Sequence, residues 1–286
     1  MIEKITDING VLKVRPQDMH KGQAGRVLII GGQEGMAGAA VLAARGALYS
    51  GAGLVKISAL ENLFHILQTS VTEAMCITRE NIDLQEFDVI AIGPGLGVSD
   101  ENGKLLQRVL TEFQGPVVID ADGLNCLCDR SVFPDPRVLT DREAVTVMTP
   151  HPGEADRLLR SFGCGGYKLL GRERSARELA AKTGAIVLLK GQGTLIASGS
   201  HLAQNTTGNP GMATGGSGDV LTGIIASFIA QGMHFMEAEP LEAVYAAAFI
   251  HGAAGDIAAD QIGQYGMTSA DIADAVSQAI KEVTGF

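Results

Sequence analysis

The segment with the strongest chemical signal is glycine-rich and spans residues 205–219, directly before the apolar stretch 220–231. Its glycines remove the Cβ atoms that would keep an anion away, and the N–H groups of the following helix start point to the same place. Such a segment predicts a phosphate site. Asp219 at its end is open to two interpretations. It caps the helix, or it is a base that takes a proton from a substrate hydroxyl during phosphoryl transfer.

A second candidate phosphate site is the loop that ends the apolar segment 186–190. Its residues are Lys190, Gly191, Gln192, Gly193 and Thr194. Open α/β sheets bind ligands beyond the carboxyl ends of their strands, so this loop is expected on the ligand side. Lys190 would neutralise a phosphate there, or it would be a solvated lysine that leads into a hairpin.

Three other loops follow predicted strands, at residues 93–97, 120–125 and 149–154. The first is Gly-Pro-Gly-Leu-Gly. The second holds two carboxylates and an amide, which would form a turn with Asx hydrogen bonds or a site for Mg²⁺ or substrate. In the third, His151 lies between two prolines that restrict its backbone, so either a ligand contact or a purely structural turn is open.

A further glycine-rich stretch, residues 31–40, follows the first predicted buried strand. It is a weak match to a dinucleotide-binding fingerprint, because Gln33 stands where the second glycine belongs. The many small residues after it, among them Ala39 and Gly46, predict a helix packed very close to its sheet. The small-residue start of that helix would admit a flat ligand ring.

Short apolar, β-branched runs alternate with helical stretches along the chain. Continuous apolar runs are typical of strands buried on both faces, and their alternation with helices predicts a mostly parallel central sheet flanked by helices on both faces. Two short strands at 194–197 and 201–204 predict a β-hairpin. No Pro/Ser-rich linker divides the sequence, so we expect one domain, residues 1–286. The other predicted strands are 26–30, 54–58, 88–92, 117–120, 145–149 and 186–190, and the predicted helices are 37–50, 104–113, 154–161, 172–182, 219–231, 241–259 and one from Thr268.

Composition excludes several classes of function. The chain has 286 residues and a formal net charge of −10, which is unsuited to binding nucleic acid or an anionic membrane surface. No run reaches the roughly 18 apolar residues of a membrane helix, and the N-terminus has no signal-peptide pattern. The four cysteines show no paired C-x-x-C spacing and predict reduced thiols in a cytoplasmic protein.

Six segments, taken in order, resemble the ADP/ATP-dependent NAD(P)H-hydrate dehydratase family of the ribokinase-like superfold. They are GGQEGMAGAAVLAARGALYSGAGLV, GPGLG, DADGLN, TPHPGE, LLKGQGT and NTTGNPGMATGGSGDVLTG, and they span about residues 21–273. The GGSGD sequence with TGN before it is shared by ribokinase-like sugar and vitamin kinases. The HPGE sequence together with the early GxxGAA helix is more specific.

The resemblance implies the repair of NAD(P)H whose nicotinamide ring has taken up water, here written NADHX and NADPHX. The ring hydroxyl of the S form would be phosphorylated by ADP or ATP, and phosphate would then be expelled. The hydrated substrate would contact Ala39, Gly95, His151 and Asp219, with Asp219 as the base. The nucleotide would be held by residues 190–194 and Gly218, with Mg²⁺ expected and its ligands unknown.

The resemblance also implies partners. Many bacterial relatives carry an N-terminal epimerase domain, for which this chain has no room before Lys21. We therefore expect a stand-alone dehydratase that works with a separate epimerase, and a homotetramer. Two other interpretations are a ribokinase-like kinase for a small alcohol, such as a vitamin precursor, and a non-enzymatic nucleotide-binding module, which would need no acid at Asp219.

Overall fold

The computed structural model describes residues 2–286 and contains one ten-stranded sheet. The strand order is β1-β10-β9-β8-β7-β6-β5-β2-β3-β4. All neighbouring pairs are parallel except those of β9, which is antiparallel to β8 and β10. The mostly parallel sheet and the β9–β10 hairpin are therefore confirmed. The strands are β1 (Glu3–Ile5), β2 (Arg26–Ile30), β3 (Leu54–Ala59), β4 (Met75–Thr78), β5 (Val89–Ile92), β6 (Val117–Ile119), β7 (Thr146–Met148), β8 (Ile186–Leu189), β9 (Leu195–Ser198) and β10 (His201–Asn205).

Helices cover both faces of the sheet, as predicted. Side chains alternate along each strand, so Val27 and Ile29 of β2 join one hydrophobic core while Leu28 and Ile30 join the other. The first core also contains α1, α8, α9 and α10, and the second contains α3, α4, α6 and α7. The helices are α1 (Ala37–Tyr49), α2 (Phe64–Ser70), α3 (Asp100–Glu112), α4 (Ala121–Cys128), α5 (Val138–Asp141), α6 (Pro152–Ser161), α7 (Tyr167–Thr183), α8 (Ser217–Gln231), α9 (Pro240–Ile262) and α10 (Ser269–Thr284).

The alanine-rich helix α1 packs on β2 and β3 of the sheet, as predicted, and more extensively on α8, which the sequence did not indicate. A Cβ at Gly46 would lie 2.3 Å from the carbonyl oxygen of Val220, and one at Gly223 would lie 1.9 Å from that of Ala43. Both distances are far inside van der Waals contact, so the two backbones approach this closely because both positions are glycine. This contact fixes the position of the N-terminal end of α8.

The segment Ser217–Met236 is long and apolar enough to cross a membrane by length and composition, with a mean hydropathy of 1.2. However, 78% of its most apolar window is buried inside the protein. It is the central helix of the first hydrophobic core.

Several elements differ from the sequence prediction. The strands β1 and β4 and the helix α2 were not predicted. Residues 120–125, expected as a loop or turn, begin α4 at Ala121, whose φ of +45° is unusual for a residue with a Cβ. Helix α7 begins at Tyr167, before the predicted residue 172, but its helical geometry is interrupted at Gly171.

Candidate functional site

The loops that carry the predicted site residues meet at the carboxyl edge of the parallel strands. Strands β5, β6, β7 and β8 are neighbours in the sheet, so the loops that leave their ends lie side by side. The first turn of α8 lies beside these loops, since Thr222 of that helix contacts Asp120. The sheet thereby brings together segments that are about 100 residues apart in sequence.

An ion pair lies at the centre of this edge. Nζ of Lys190 is 2.6 Å from Oδ1 of Asp120 and 3.9 Å from Oε2 of Glu154. The Asp120 side chain is 1% exposed, and its second oxygen accepts a hydrogen bond of 2.8 Å from the hydroxyl of Thr222. Burial alone would lower the pKa of Lys190, but the two facing carboxylates raise it, so the lysine is charged. Sequence analysis did not identify this pair.

Asp219 occupies the first turn of α8, close to the Lys190 ion pair. Burial raises the pKa of Asp219 to about 7, Asp120 adds to the rise by like-charge repulsion, and Lys190 opposes it. Burial likewise raises the pKa of Glu154, and Lys190 opposes that shift too. A carboxyl that titrates near neutrality can take up or release a proton at cellular pH.

The start of α8 has the features of an anion site. Gly216, with φ of +92°, precedes the helix, and a Cβ there would lie 2.4 Å from Cδ1 of Leu42. The backbone N–H groups of Gly218 and Asp219 have no hydrogen-bond partner among residues 2–286. A Cβ at Gly218 would lie 3.0 Å from Nζ of Lys190, so lysine and helix start border the same space. Free N–H groups, the helix dipole and a lysine together favour a phosphate.

A cavity of about 710 Å³ opens beside this helix start. Lys190, Gly191, Gln192, Gly193, Thr194 and Gly218, the six residues predicted to bind nucleotide, all line it. The segment before α8 and the middle of α9 form the remaining walls, and His151 and Pro152 lie at the lining as well. The volume is in the usual range for small-molecule sites.

His251 on α9, which sequence analysis did not identify, contacts the start of α8 from this cavity wall. Its Nε2–H donates to the carbonyl oxygen of Ser217 at 2.9 Å. Burial lowers the pKa of His251 to about 4, so the imidazole is neutral at pH 7. A histidine within a long alanine-rich helix gives no sequence signal of this contact.

His151 is the N-cap of α6. Its Nδ1 accepts a hydrogen bond of 3.0 Å from the N–H of Gly153, while Oε2 of Glu154 accepts one of 2.7 Å from the N–H of His151. The side chain is 51% exposed. The structure therefore gives His151 a capping contact and also places it at the cavity that the 190–194 loop lines.

Ala39, in the first turn of α1, and Gly95, in the loop after β5, lie close together. The methyl group of Ala39 is 3.1 Å from the position that a Cβ of Gly95 would occupy, and Gly95 has φ of +59°. Neither residue lines the 710 Å³ cavity. The loop of Gly95 reaches the Asp120 segment through Gly97, whose N–H donates to Asp122 at 2.8 Å. The predicted hydrate contacts are thus divided, with His151 on the cavity side and Ala39 and Gly95 beyond it.

Acidic groups are in excess at the centre of the site. Asp120, Glu154 and Asp219 surround Lys190. Within residues 2–286, however, no group of three or more His, Cys, Asp or Glu side chains has the arrangement to hold a metal ion by itself.

A mostly parallel sheet whose carboxyl edge holds a glycine-rich helix start is the arrangement of the ribokinase-like α/β fold, and this fold class is confirmed. Residues 27–278 match the family model described as NAD(P)H-hydrate dehydratase. The chain belongs to this family.

Individual relatives agree with this assignment. The chain is 42% identical to the bifunctional NAD(P)H-hydrate repair enzyme Nnr of Moorella thermoacetica, over 92% of this chain and 51% of that protein. It therefore spans about half the length of the bifunctional relatives that it matches. It is 37% identical to the ADP-dependent (S)-NAD(P)H-hydrate dehydratase of Neisseria meningitidis, over 96% of this chain and 91% of that one.

A solved structure shows the same fold over nearly the whole chain. The ADP/ATP-dependent NAD(P)H-hydrate dehydratase from Bacillus subtilis, co-crystallized with ATP/Mg²⁺, superposes with a TM-score of 0.83. The two sequences are 30% identical, and the match covers 99% of each chain. The alternative of a small-alcohol kinase is less well supported by these similarities than the dehydratase.

Proposed function

We propose that the chain catalyses the nucleotide-dependent dehydration of hydrated NAD(P)H, in the S form, to NAD(P)H. The reaction consumes ADP, giving AMP and phosphate, or ATP, giving ADP and phosphate. The observation that carries the proposal is the position of Asp219, a carboxyl with a pKa of about 7 beside unpaired N–H groups and Lys190. Family membership supplies the class of substrate.

The first step is phosphoryl transfer to the ring hydroxyl. The Asp219 carboxylate takes the hydroxyl proton while the oxygen forms a bond to the terminal phosphorus of the nucleotide. The bond between that phosphorus and the bridging oxygen of the nucleotide breaks, and its electron pair stays on this oxygen of the AMP or ADP that leaves. Lys190 and the N–H groups of Gly218 and Asp219 offset the negative charge of the transferred group.

The second step is elimination. The carbon–oxygen bond of the phosphorylated ring breaks, and phosphate departs with the electron pair. The neighbouring ring carbon loses a proton to solvent water, and the electron pair of that C–H bond forms the double bond of the reduced nicotinamide again. Phosphorylation is useful because phosphate is a much better leaving group than hydroxide.

Nucleotide binding is assigned to Lys190, Gly191, Gln192, Gly193, Thr194 and Gly218, and hydrate binding to Ala39, Gly95, His151 and Asp219. The shared cavity lining supports the first group, and the proximity of Ala39 to Gly95 supports part of the second. This division puts the hydrate's ring between the two groups, next to Asp219.

Mg²⁺ is proposed as the companion of the nucleotide. The surplus of carboxylates around Lys190 suits a divalent cation, and Mg²⁺ usually takes most of its ligands from phosphates and water. Glu154 is the side chain that would hold it, largely through water, because Asp120 is paired with Lys190 and Asp219 is the proposed base. Bound there, the cation would neutralise phosphate charge.

We also propose a single dehydratase domain, a homotetramer, a cytoplasmic location and a separate epimerase partner for the other stereoisomer. The unbroken sheet supports the single domain, the four free cysteines support a reducing compartment, and the bifunctional relatives support the link with a second repair activity.

The function is tested by incubating chemically hydrated NADH with the protein, Mg²⁺ and either ADP or ATP. The absorbance of the reduced nicotinamide should return, with one inorganic phosphate released per NADH formed. Reactions without nucleotide are the control. A stable phosphorylated product without recovery of absorbance would instead support the kinase alternative.

A further inference from the structure

The 190–194 loop is held by Arg172, which lies outside the cavity lining. The guanidinium donates hydrogen bonds to two successive carbonyl oxygens, from Nη1 to Gln192 and from Nη2 to Gly193, the second at 3.1 Å. A Cβ at Gly191 would lie 3.4 Å from the same Nη2. One planar side chain thus fixes two consecutive peptide groups, which a point charge cannot do.

Fixing these carbonyls also fixes the N–H groups of the same peptides. In a trans peptide the C=O and N–H bonds point in opposite directions. The N–H groups of Gly193 and Thr194 are therefore directed away from Arg172, and neither has a hydrogen-bond partner among residues 2–286.

These two residues line the same cavity as Gly218. The N–H group of Gly218 is also unpaired within the described chain. The cavity is consequently bordered by free donors from two separate elements, the 190–194 loop and the start of α8. Successive free N–H groups of this kind form anion-binding concavities.

The position of Arg172 depends on a break in α7. Gly171 has φ of +74° and ψ of 175° inside this helix, a backbone conformation that is essentially restricted to glycine. A Cβ there would have no atom within 4 Å, so the requirement is conformational and not one of space. The break makes Arg172 the first residue of the longer helical part. A cation in a first helical turn is electrostatically unfavourable, so helix formation does not account for this arginine.

We propose that Arg172 is a positioning residue for nucleotide binding. Set by the break at Gly171, it orients the loop so that the N–H groups of Gly193 and Thr194 receive phosphate oxygens of ADP or ATP. The inference rests on the proposed function, since it takes the cavity to be the nucleotide site.

The test is ADP binding to the whole protein by calorimetry in the absence of hydrate. Arg172→Ala should weaken ADP binding about 10- to 100-fold, the scale of one or two lost hydrogen bonds to a charged group. Arg172→Lys should bind ADP at least about fivefold more weakly than the wild-type protein does, because an ammonium does not span both carbonyls. In each variant, kcat at saturating nucleotide should remain within about twofold of the wild-type value. The matched control is Arg174→Ala, two residues further along α7, where Arg174 is 69% exposed and faces Glu178.

Unchanged ADP affinity in Arg172→Ala, or wild-type affinity in Arg172→Lys, would overturn the inference while leaving the proposed function intact. Failure of the wild-type protein to bind ADP would overturn both. If Arg172→Ala does not fold, Arg172→Lys and Gly171→Ala decide the matter. Gly171→Ala should move Arg172 and weaken ADP binding in the same direction.

Discussion

Lys190 and Asp120 form an ion pair of 2.6 Å, and the second carboxylate oxygen of Asp120 accepts a hydrogen bond from Thr222. Thr222 is three residues after Asp219, so it lies on the same side of α8. The pair therefore connects the proposed nucleotide loop to the helix that carries the proposed base. Asp120 and Lys190 act on the pKa of Asp219 in opposite directions.

The pH dependence of turnover should reveal this opposition. Because the pKa of Asp219 is about 7, the fraction of base in the ionised form, and hence kcat, should rise as pH increases through 7. Asp120→Asn removes a negative charge and should move this midpoint to lower pH. Lys190→Met should move it to higher pH. The measurement is kcat from pH 5 to 9 at saturating substrates, and shifts of the same sign in both variants would contradict the coupling.

Asp219→Asn should lower turnover by at least about 100-fold, the scale of a lost general base. Nucleotide binding should be kept, because the backbone N–H groups are unaltered. Near-normal turnover would remove Asp219 from the base role.

The same variant should change stability in a pH-dependent way. The folded-state pKa of Asp219 is raised, so between about pH 4 and 7 the folded state holds a proton that the unfolded state has released. Stability from this group therefore falls as pH rises through that window. Asp219→Asn should be more stable than wild type at pH 8, by about 1–2 kcal/mol after solvent screening, and equal at pH 4. Urea unfolding at both pH values measures the difference.

Lys190→Ala should raise the apparent KM for ADP or ATP more than it raises the apparent KM for the hydrate. It also leaves the buried Asp120 without its cation, which should lower the free energy of unfolding by about 3–5 kcal/mol. Combining it with Asp120→Asn should recover much of this loss without recovering nucleotide affinity. An equal effect on both substrates would contradict the division of the site.

His151→Ala tests whether this residue contacts the hydrate. A ligand hydrogen bond predicts hydrate binding weaker by about 1–3 kcal/mol with little change for ADP. Loss of the N-cap adds a stability cost of about 0.5–2 kcal/mol. His151→Asn keeps a capping group and should recover stability but not hydrate affinity. Reduced stability with unaltered affinity in His151→Ala would limit His151 to capping.

Gly223→Ala should destabilise the protein by about 1–3 kcal/mol or more, because the added methyl group meets the backbone of α1 at 1.9 Å. The control is Gly38→Ala on α1, where a Cβ has no atom within 4 Å and helix propensity improves. Thermal unfolding should separate the two variants in opposite directions. Equal melting temperatures would show that α1 and α8 adjust freely.

Strand periodicity was sufficient to predict the core of the sheet, because buried parallel strands are continuous apolar runs. Strands at its edges were missed for a physical reason. β1 has three residues, of which Glu3 and Lys4 are charged, so it has no apolar run. The apolar run of β4 has only three residues, Met75, Cys76 and Ile77, of which one is β-branched. The start of α4 was not predicted because aspartates, here Asp120 and Asp122, are also common in turns.

The loops of the site were predictable, but the contacts among them were not. Glycine spacing indicates where a backbone can accept an anion, and it predicted Gly218 and the 190–194 loop, which line one cavity. The Lys190–Asp120 pair joins residues 70 positions apart, and no local pattern indicates which carboxylate a lysine will meet. His251 could not be predicted for the same reason, since its partner Ser217 is 34 residues away.

The close contact between Gly46 and Val220 has a consequence for synthesis on the ribosome. The buried alanine face of α1 is completed by a helix made 174 residues later. At about 5–20 residues per second, that face waits roughly 10–35 seconds for its partner. Throughout this interval the nascent chain presents an apolar surface, and Asp120 has no lysine until residue 190 has emerged. The chain therefore completes the charge balance of Asp120 and then its native packing late in translation, and a nascent chain that stalls before residue 220 leaves the apolar face of α1 exposed.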